Sequence, residues 1–239
     1  MKIVADNAIP FLQHFFSPLG EITAVAGRDI GPAQVRDADV LLVRTVTRVD
    51  ERLLSGSRVR FVGSPTSGTD HLDIEHLHRA GIHWTAAPGC NARSVAEYVL
   101  SALLVVTEFT GRELNGMRAG IIGCGHVGSL VAQMLSGVGA ECVLHDPPLQ
   151  AATGDPKFQP LHVALAADIV TLHVPLNRSG PYATAGMVDA GFLDSLRPDA
   201  ILINTARGEV VNEPALLDAL RTRPDLRAII DVWANEPNL

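Results

Sequence analysis

A glycine-rich turn between an apolar run and a helical pattern restricts the possible folds more than any other stretch of this sequence. In AGIIGCGHVGSL, the residues Gly123, Gly125 and Gly128 follow the apolar run 119–122. Glycines at this spacing permit a tight turn, close approach of the backbone to a pyrophosphate, and close packing of helix on strand. Because glycine turns are common, the strand before and the helix after are what make this one predict a dinucleotide-binding α/β unit.

An acidic residue follows at the place where such a unit needs one. Asp146 ends the next apolar run, ECVLHD. Its carboxylate is predicted to accept hydrogen bonds from the adenosine ribose, and it would repel a 2′-phosphate, so the predicted cofactor is NAD rather than NADP. The two prolines that follow supply no arginine to reverse that choice. Within the turn, His126 and Val127 are predicted to contact the cofactor rather than to act as catalysts.

The rest of the chain repeats short apolar runs separated by segments of helical spacing. Continuous rather than alternating hydrophobicity, as in VLLV and AILI, is typical of strands buried on both faces of a parallel sheet. A helix of about 20 residues is predicted from residue 94, with a capping box formed by Ser94 and Glu97. The predicted strands are Lys2–Ala5, Ile22–Val25, Val40–Val43, Arg60–Gly63, His83–Ala86, Ala119–Ile122, Cys142–His145, Ile169–His173, Ile201–Asn204 and Ala228–Val232.

This pattern predicts two doubly wound α/β domains divided near residue 92. We expect a flavodoxin-like substrate domain over residues 1–92 and a Rossmann NAD-binding domain over residues 93–239, the latter incomplete at its C-terminus. A chain with 47% hydrophobic and 19% charged residues is expected to fold compactly.

Charge and cysteine usage exclude several classes of function. The formal net charge is −7 and no basic run occurs, which argues against nucleic acid or an anionic membrane as a partner. Cys90, Cys124 and Cys142 have the spacing of neither a disulfide framework nor a zinc site, and predict a cytoplasmic protein. The sequence has no apolar run long enough for a signal peptide or a membrane span.

Two later strand ends carry polar residues to the edge where open α/β sheets bind ligands. INTARG places Thr205, Ala206 and Arg207 after one strand, and DVWANEP places Asp231 and Glu236 after the last. A guanidinium grips a carboxylate through two parallel hydrogen bonds, so Arg207 is the predicted anion clamp.

These stretches resemble the D-isomer-specific 2-hydroxyacid dehydrogenases, through GCGHVG, HVPL, INTARGEVVNEPAL and DVWANEP. Within that family the chain is most similar, over its whole length, to members that oxidise a phosphorylated 2-hydroxy acid. The narrower similarity is carried by VRTVTRV, GSPTSGTDHLD, AAPGCNARSVAEYV, HDPP and PLNRSGPYATAGMVD.

The resemblance implies two α/β domains with an active site in the cleft between them, NAD as cofactor, a small phosphorylated 2-hydroxy acid as substrate, and a homodimer in the complete protein. It implies that Arg207 binds the substrate carboxylate and that Glu236 pairs with a catalytic histidine. It further implies that Thr45 and Thr66 contact substrate. The residues that it implies to line the cofactor, beyond the glycine turn and Asp146, are Val174, Thr205, Ala206, Arg207 and Asp231.

The sequence departs from the family pattern in one respect. The family places its catalytic histidine beyond the DVWANEP segment, where this sequence has none; His71, in GTDHLD, is the only stand-in considered, and a local structural role is favoured for it. Losing a general acid–base group lowers rates by roughly 10²–10⁴, so we expect poor turnover from these 239 residues. The last strand of the family's NAD domain and the helix that returns to the first domain are also missing from the sequence, and we therefore expect weak NAD binding. Three alternatives stay open: a dehydrogenase of another acid such as 3-phosphoglycerate, a non-catalytic NAD-binding or interaction module, and a degraded gene product.

Overall fold

The computed structural model describes residues 1–234 and 236, and the chain divides into two compact units, Met1–Asn91 and Ala92–Leu239. The division lies one residue before the predicted boundary. Each unit is an α/β layer structure with its own parallel five-stranded sheet. The prediction of two parallel-sheet α/β units is therefore confirmed.

The first unit holds strands β1–β5 in the order β2-β1-β3-β4-β5, all parallel. This order agrees with the flavodoxin-like assignment, which otherwise stays a prediction. Successive residues of a strand point to opposite faces, so Ile3 and Ala5 pack in one buried cluster and Val4 in another. The elements in chain order are β1 Lys2–Asp6, α1 Leu12–Phe16, β2 Glu21–Val25, α2 Pro32–Val35, β3 Val40–Leu42, α3 Glu51–Leu54, β4 Phe61–Ser64, α4 Ile74–Arg79 and β5 His83–Ala86.

The second unit begins with a long helix and holds β6–β10 in the order β10-β9-β8-β6-β7, again all parallel. Its sheet is covered on both faces: Ile121 and Ile203 lie in one cluster, and Ile122 and Leu202 in the other. The elements are α5 Ala92–Thr110, β6 Arg118–Ile122, α6 His126–Gly137, β7 Glu141–His145, α7 Pro147–Thr153, α8 Leu161–Leu165, β8 Ile169–Leu172, α9 Ala190–Asp194, β9 Ile201–Asn204, α10 Glu213–Thr222 and β10 Arg227–Ile230.

The predicted strands all exist, with ends displaced by at most two residues. The predicted capping box is wrong, because α5 already begins at Ala92 and Ser94 lies inside it. Glu97 instead accepts a hydrogen bond from Arg93 Nε at 2.7 Å, an (i, i+4) pair on the helix surface.

Two further findings concern the class of protein. Among the described residues, no helix combines the length and apolarity that crossing a bilayer requires. Cys90, Cys124 and Cys142 are free thiols in the structure, and the cytoplasmic location inferred from them stays a prediction.

Candidate functional site

The second sheet offers a ligand crevice where its strand order reverses. β6 is followed in sequence by β7 on one side, and β8 then adds on the other side of β6. Ligands of open parallel sheets bind outside the carboxyl ends of the strands at such a switch point. The glycine turn follows β6 here, and His173 and Val174 follow β8.

The glycine turn excludes side chains at two of its three glycines and is open at the third. Gly123 has φ +86°, and a Cβ on Gly128 would lie 1.9 Å from the Gly123 carbonyl oxygen, so neither position accepts a side chain without rearrangement. A Cβ on Gly125 would meet no protein atom within 4 Å. The space above Gly125 is therefore free of other protein atoms, and the predicted pyrophosphate contact stays a prediction.

Helix α6 points its amino end at this space. It begins at His126 with Gly125 as N-cap, and no side chain caps it. Its first N–H groups and the positive end of its dipole are therefore available for an anion. His126 is exposed and Val127 half-buried, beside the turn where the sequence places them.

Asp146 connects the turn to the segment after β7. Its Oδ2 accepts a hydrogen bond from the Cys124 N–H at 2.8 Å, and its Oδ1 caps α7 by accepting from the Leu149 N–H at 2.9 Å. A carboxylate has about four acceptor positions, so two bonds leave room for ribose hydroxyls. The sequence predicts the ribose contact but not these two backbone bonds.

Cys124 lies within the turn, and its environment excludes a role as nucleophile. Burial raises the pKa of its thiol to about 12, and the Asp146 charge acts in the same direction. The thiol therefore stays protonated and packs as a small apolar group. In the described part of the chain, no three His, Cys, Asp or Glu side chains gather around a common point as metal ligands would.

His173 links two strand ends of the crevice. Its Nε2 lies 3.0 Å from Thr171 Oγ1, and its Nδ1 lies 3.3 Å from Thr205 Oγ1. Desolvation lowers the pKa of His173 to about 4, so the ring is neutral near pH 7. Val174, the next residue, borders the glycine turn, because a Cβ on Gly123 would lie 3.0 Å from Val174 Cγ1.

The turn after β9 presents Arg207. The buried Asn204 side chain shapes it: Oδ1 accepts from the Ala206 N–H at 3.0 Å, and Nδ2 donates to the Arg207 carbonyl at 3.0 Å. Arg207 Nη1 donates to the Ala206 carbonyl at 2.7 Å, and the side chain is half-buried. Thr205 thus lies beside His173 at the carboxyl edge, and Ala206 and Arg207 follow it in the same turn. The sequence predicts Asn204 only as the end of a strand.

The chain after β10 packs against this turn. The Asp231 N–H donates to the Asn204 carbonyl at 3.0 Å, which places Asp231 at the same edge. A Cβ on Gly208 would lie 2.0 Å from the Trp233 carbonyl carbon, so the two segments touch through backbone. Glu236 Oε1 accepts a hydrogen bond from the Trp233 N–H at 2.6 Å. Within the described residues of the second unit, no histidine forms an ion pair with Glu236, and its predicted partnership stays a prediction.

In the first unit, Thr45 and Thr66 follow the carboxyl ends of β3 and β4. Thr45 is exposed, and Thr66 Oγ1 lies 2.7 Å from Ser64 Oγ. Ser64 Oγ also donates to the Val43 carbonyl at 3.1 Å and lies 2.9 Å from Nε2 of the buried His71. These bonds agree with a structural role for His71: Ser64 ties the two threonine loops together. The sequence offers no sign of Ser64, since its partners come from separate loops.

Comparison with known proteins places this geometry in context. Residues 99–239 match the family model described as D-isomer specific 2-hydroxyacid dehydrogenase, NAD binding domain. Over 240 aligned positions the chain is 49% identical to the erythronate-4-phosphate dehydrogenase of Chromohalobacter salexigens, covering 100% of this chain and 63% of that protein. The chain thus spans less than two thirds of the length of this curated relative.

Two solved structures share the fold over nearly the whole chain. One is the NAD⁺-bound 3-phosphoglycerate dehydrogenase of Entamoeba histolytica, with a TM-score of 0.83 and 26% identity over 99% of this chain and 82% of that one. The other is the TT0316 protein of Thermus thermophilus, with a TM-score of 0.85 and 27% identity over 99% of this chain and 83% of that one.

Proposed function

This chain belongs to the D-isomer specific 2-hydroxyacid dehydrogenase family, and we propose that it carries the activity of an erythronate-4-phosphate dehydrogenase. The reaction is oxidation of 4-phospho-D-erythronate at C2 to the 2-oxo acid, with NAD as hydride acceptor, in the biosynthesis of pyridoxal 5′-phosphate. The name of the relative at 49% identity supports the choice of substrate. The observation that carries the proposal is the single sheet edge that holds the glycine turn, Asp146 and Arg207.

The cofactor end of this edge is suited to NAD. The open space above Gly125 and the uncapped amino end of α6 receive the pyrophosphate. Asp146 keeps acceptor positions for the ribose hydroxyls and would repel a 2′-phosphate. Bound NAD supplies the carbon that accepts the hydride.

The substrate end needs an anion clamp and a proton acceptor. Arg207 binds the substrate carboxylate and stabilises negative charge that develops on the C2 oxygen as the hydride leaves. The hydroxyl proton passes to a general base, and Glu236 would hold that base in the right tautomer. Thr45 and Thr66 contact the polar groups of the substrate, and Ser64 fixes Thr66 through its 2.7 Å hydrogen bond.

Initial rates of NADH formation test this proposal on a chain of the full length of the curated relative, because these 239 residues alone are expected to turn over poorly. We expect 4-phospho-D-erythronate to give a higher kcat/KM than 3-phosphoglycerate, D-lactate or formate, and NAD to be preferred over NADP. Arg207→Gln should raise the substrate KM and lower kcat, whereas Arg221→Gln, on the exposed face of α10, should change neither. Preference for 3-phosphoglycerate would contradict the substrate assignment and leave the family chemistry intact.

A second candidate is a non-catalytic NAD-binding module. One observation favours it: the described residues of the second unit provide no histidine for Glu236. Such a module would bind NAD in calorimetry and form no NADH with any of the four acids. An NADH-forming reaction that Arg207→Gln suppresses would exclude it.

We also propose that the complete protein is a homodimer in the cytoplasm. Exposed apolar side chains on α5 support the dimer: Phe109 is 89% exposed, Val105 is 66% exposed and Leu104 is 50% exposed. Faces this apolar are typical of interfaces. Light scattering after size exclusion should give twice the chain mass, and Phe109→Lys should shift the protein to monomer.

A further inference from the structure

The amino end of the second sheet, opposite the cofactor edge, holds a polar cavity. It has a volume of about 320 Å³ and is lined by residues from three segments, among them Arg112, Arg197, Asp199 and Arg227. Arg227 is the first residue of β10, and Asp199 comes just before β9. None of these residues belongs to the crevice at the carboxyl ends of the strands.

Two of the three guanidinium groups share one carboxylate oxygen. Arg112 Nη2 donates to Asp168 Oδ1 at 3.2 Å, and Arg197 Nη1 donates to the same oxygen at 2.6 Å. The other oxygen, Asp168 Oδ2, accepts the Arg118 N–H at 2.8 Å. The half-buried Asp168 carboxylate is therefore the shared partner of two guanidinium groups, and its second oxygen already accepts a backbone hydrogen bond.

The third guanidinium has a neutral partner. Arg227 Nη1 donates to the Asp225 carbonyl at 2.8 Å, and no ion pair joins Arg227 to another described residue. The Asp225 carboxylate is already engaged by Arg223 Nη2 at 3.0 Å and by the Asp199 N–H at 3.2 Å. That carboxylate therefore leaves the Arg227 charge uncompensated.

The cavity carries an excess of positive charge in a chain of net charge −7. Arg112, Arg197 and Arg227 carry three positive charges, and Asp168 and the exposed Asp199 carry two negative ones, which leaves a net charge of 3 − 2 = +1. The neighbouring Asp225 carboxylate does not change this net charge, because it is paired with Arg223. Each guanidinium has five N–H donors, and few of these are used by the bonds above. Arg112 is held by a second bond, from Nη1 to the Asp199 carbonyl at 2.7 Å, so the donors are pre-positioned.

We propose that this cavity binds a small metabolite through a phosphate group, at a site separate from the NAD crevice. Guanidinium groups bind phosphate bidentately, and three around one polar cavity suit a multiply charged oxyanion. Arg227 is the principal ligand, because its charge has no carboxylate partner among the described residues. Asp199 opposes the anion and limits the affinity.

Isothermal titration of the 239-residue chain with inorganic phosphate and pyrophosphate, at low salt and with saturating NAD, tests the proposal. We expect one phosphate or pyrophosphate site in addition to NAD. Since a hydrogen bond to a charged group is a strong one, Arg227→Gln should weaken binding by roughly ten- to a hundredfold. Asp199→Asn should strengthen it, and Arg227→Lys should recover part of the affinity.

Arg221→Gln is the matched control, because Arg221 lies on α10 and pairs only with Asp218 at 3.5 Å among the described residues. It should bind phosphate like the unaltered chain. The proposal would be overturned if phosphate did not bind, or if the control lost as much phosphate affinity as Arg227→Gln. It would also be overturned if neither Arg227→Gln nor Asp199→Asn changed the phosphate affinity. Thermal melts establish that each variant is folded; if Arg227→Gln is not, Asp199→Asn and Arg227→Lys decide. The dependence on Arg227 is measurable whether or not NAD binds, so this test is independent of the proposed function.

Discussion

The buried imidazole of His173 should make folding stability depend on pH in a predictable direction. Its pKa is lowered from 6.5 to about 4 by desolvation. Between these two values the unfolded chain binds more protons at this site than the folded chain does. Stability from this residue is therefore complete above about pH 6.5 and is lost as the pH falls towards 4.

The size of the effect follows from the shift. One pKa unit corresponds to about 1.4 kcal/mol, so lowering the pH from about 8 to about 5 should remove up to about 2 kcal/mol of unfolding free energy. The His173 side chain is half-buried rather than fully enclosed at the sheet edge, and the water that reaches it reduces this value. We therefore expect a loss of about 1–2 kcal/mol that is attributable to His173.

Urea unfolding at a series of pH values measures this loss. His173→Asn removes the titration while keeping a polar group beside Thr171 and Thr205. The variant should be less stable at pH 8, and its stability should fall less steeply towards pH 5, by the same ~1–2 kcal/mol. His162→Gln, an exposed histidine of the same unit, is the control for removing a histidine. Parallel pH profiles for His173→Asn and the unaltered chain would refute the reasoning.

Three other substitutions give equally direct tests. Gly128→Ala puts a Cβ 1.9 Å from the Gly123 carbonyl oxygen and so disturbs the turn on which the pyrophosphate contacts depend. It should weaken NAD binding in calorimetry by roughly tenfold or more. The control is Gly137→Ala, which has open space around its Cβ and should bind NAD normally. Asp146→Ala removes the α7 cap, which should lower the unfolding free energy by about 1 kcal/mol, and it should narrow the ratio of NAD to NADP affinity. Asp6→Ala breaks the ion pair between the fully buried Asp6 and Arg44, which lie 2.9 Å apart. We expect the free energy of unfolding measured in urea to fall by roughly 2–3 kcal/mol. This is less than the usual value for a buried pair, because Arg44 is 36% exposed. A loss below about 1 kcal/mol would show that Arg44 rehydrates freely.

The fold was predictable because each strand of a parallel sheet that is buried on both faces appears in the sequence as a short run of consecutive apolar residues. Runs such as AILI contain only residues that such a strand tolerates, and the structure shows Ile201–Asn204 fully buried. Boundaries were harder to place, since caps depend on a few side-chain bonds. At α5 the pattern Ser94 to Glu97 satisfied a capping rule, yet the helix begins at Ala92 and Glu97 pairs with Arg93.

The glycine turn was predictable for a different reason. Pyrophosphate is bound by backbone N–H groups, so a binding turn needs residues without side chains at fixed local intervals. In this chain those residues are Gly123, Gly125 and Gly128. No comparable local spacing in the sequence identifies the roles of His173 and Asn204. Their partners are set by which strands are neighbours, and that pairing is a property of the whole sheet.

The two ends of the second sheet therefore differ in how far sequence can specify them. At the carboxyl end, backbone groups of one continuous segment form the cofactor turn, so a local spacing is sufficient to identify it. At the amino end, Arg112, Arg197 and Arg227 converge from three separate connections, and no spacing between them is constrained. A long flexible side chain reaches its neighbour from many backbone positions, whereas a backbone N–H does not. Sites formed by side chains of distant segments can therefore be identified only from the folded structure. The proposed phosphate cavity is a site of this type.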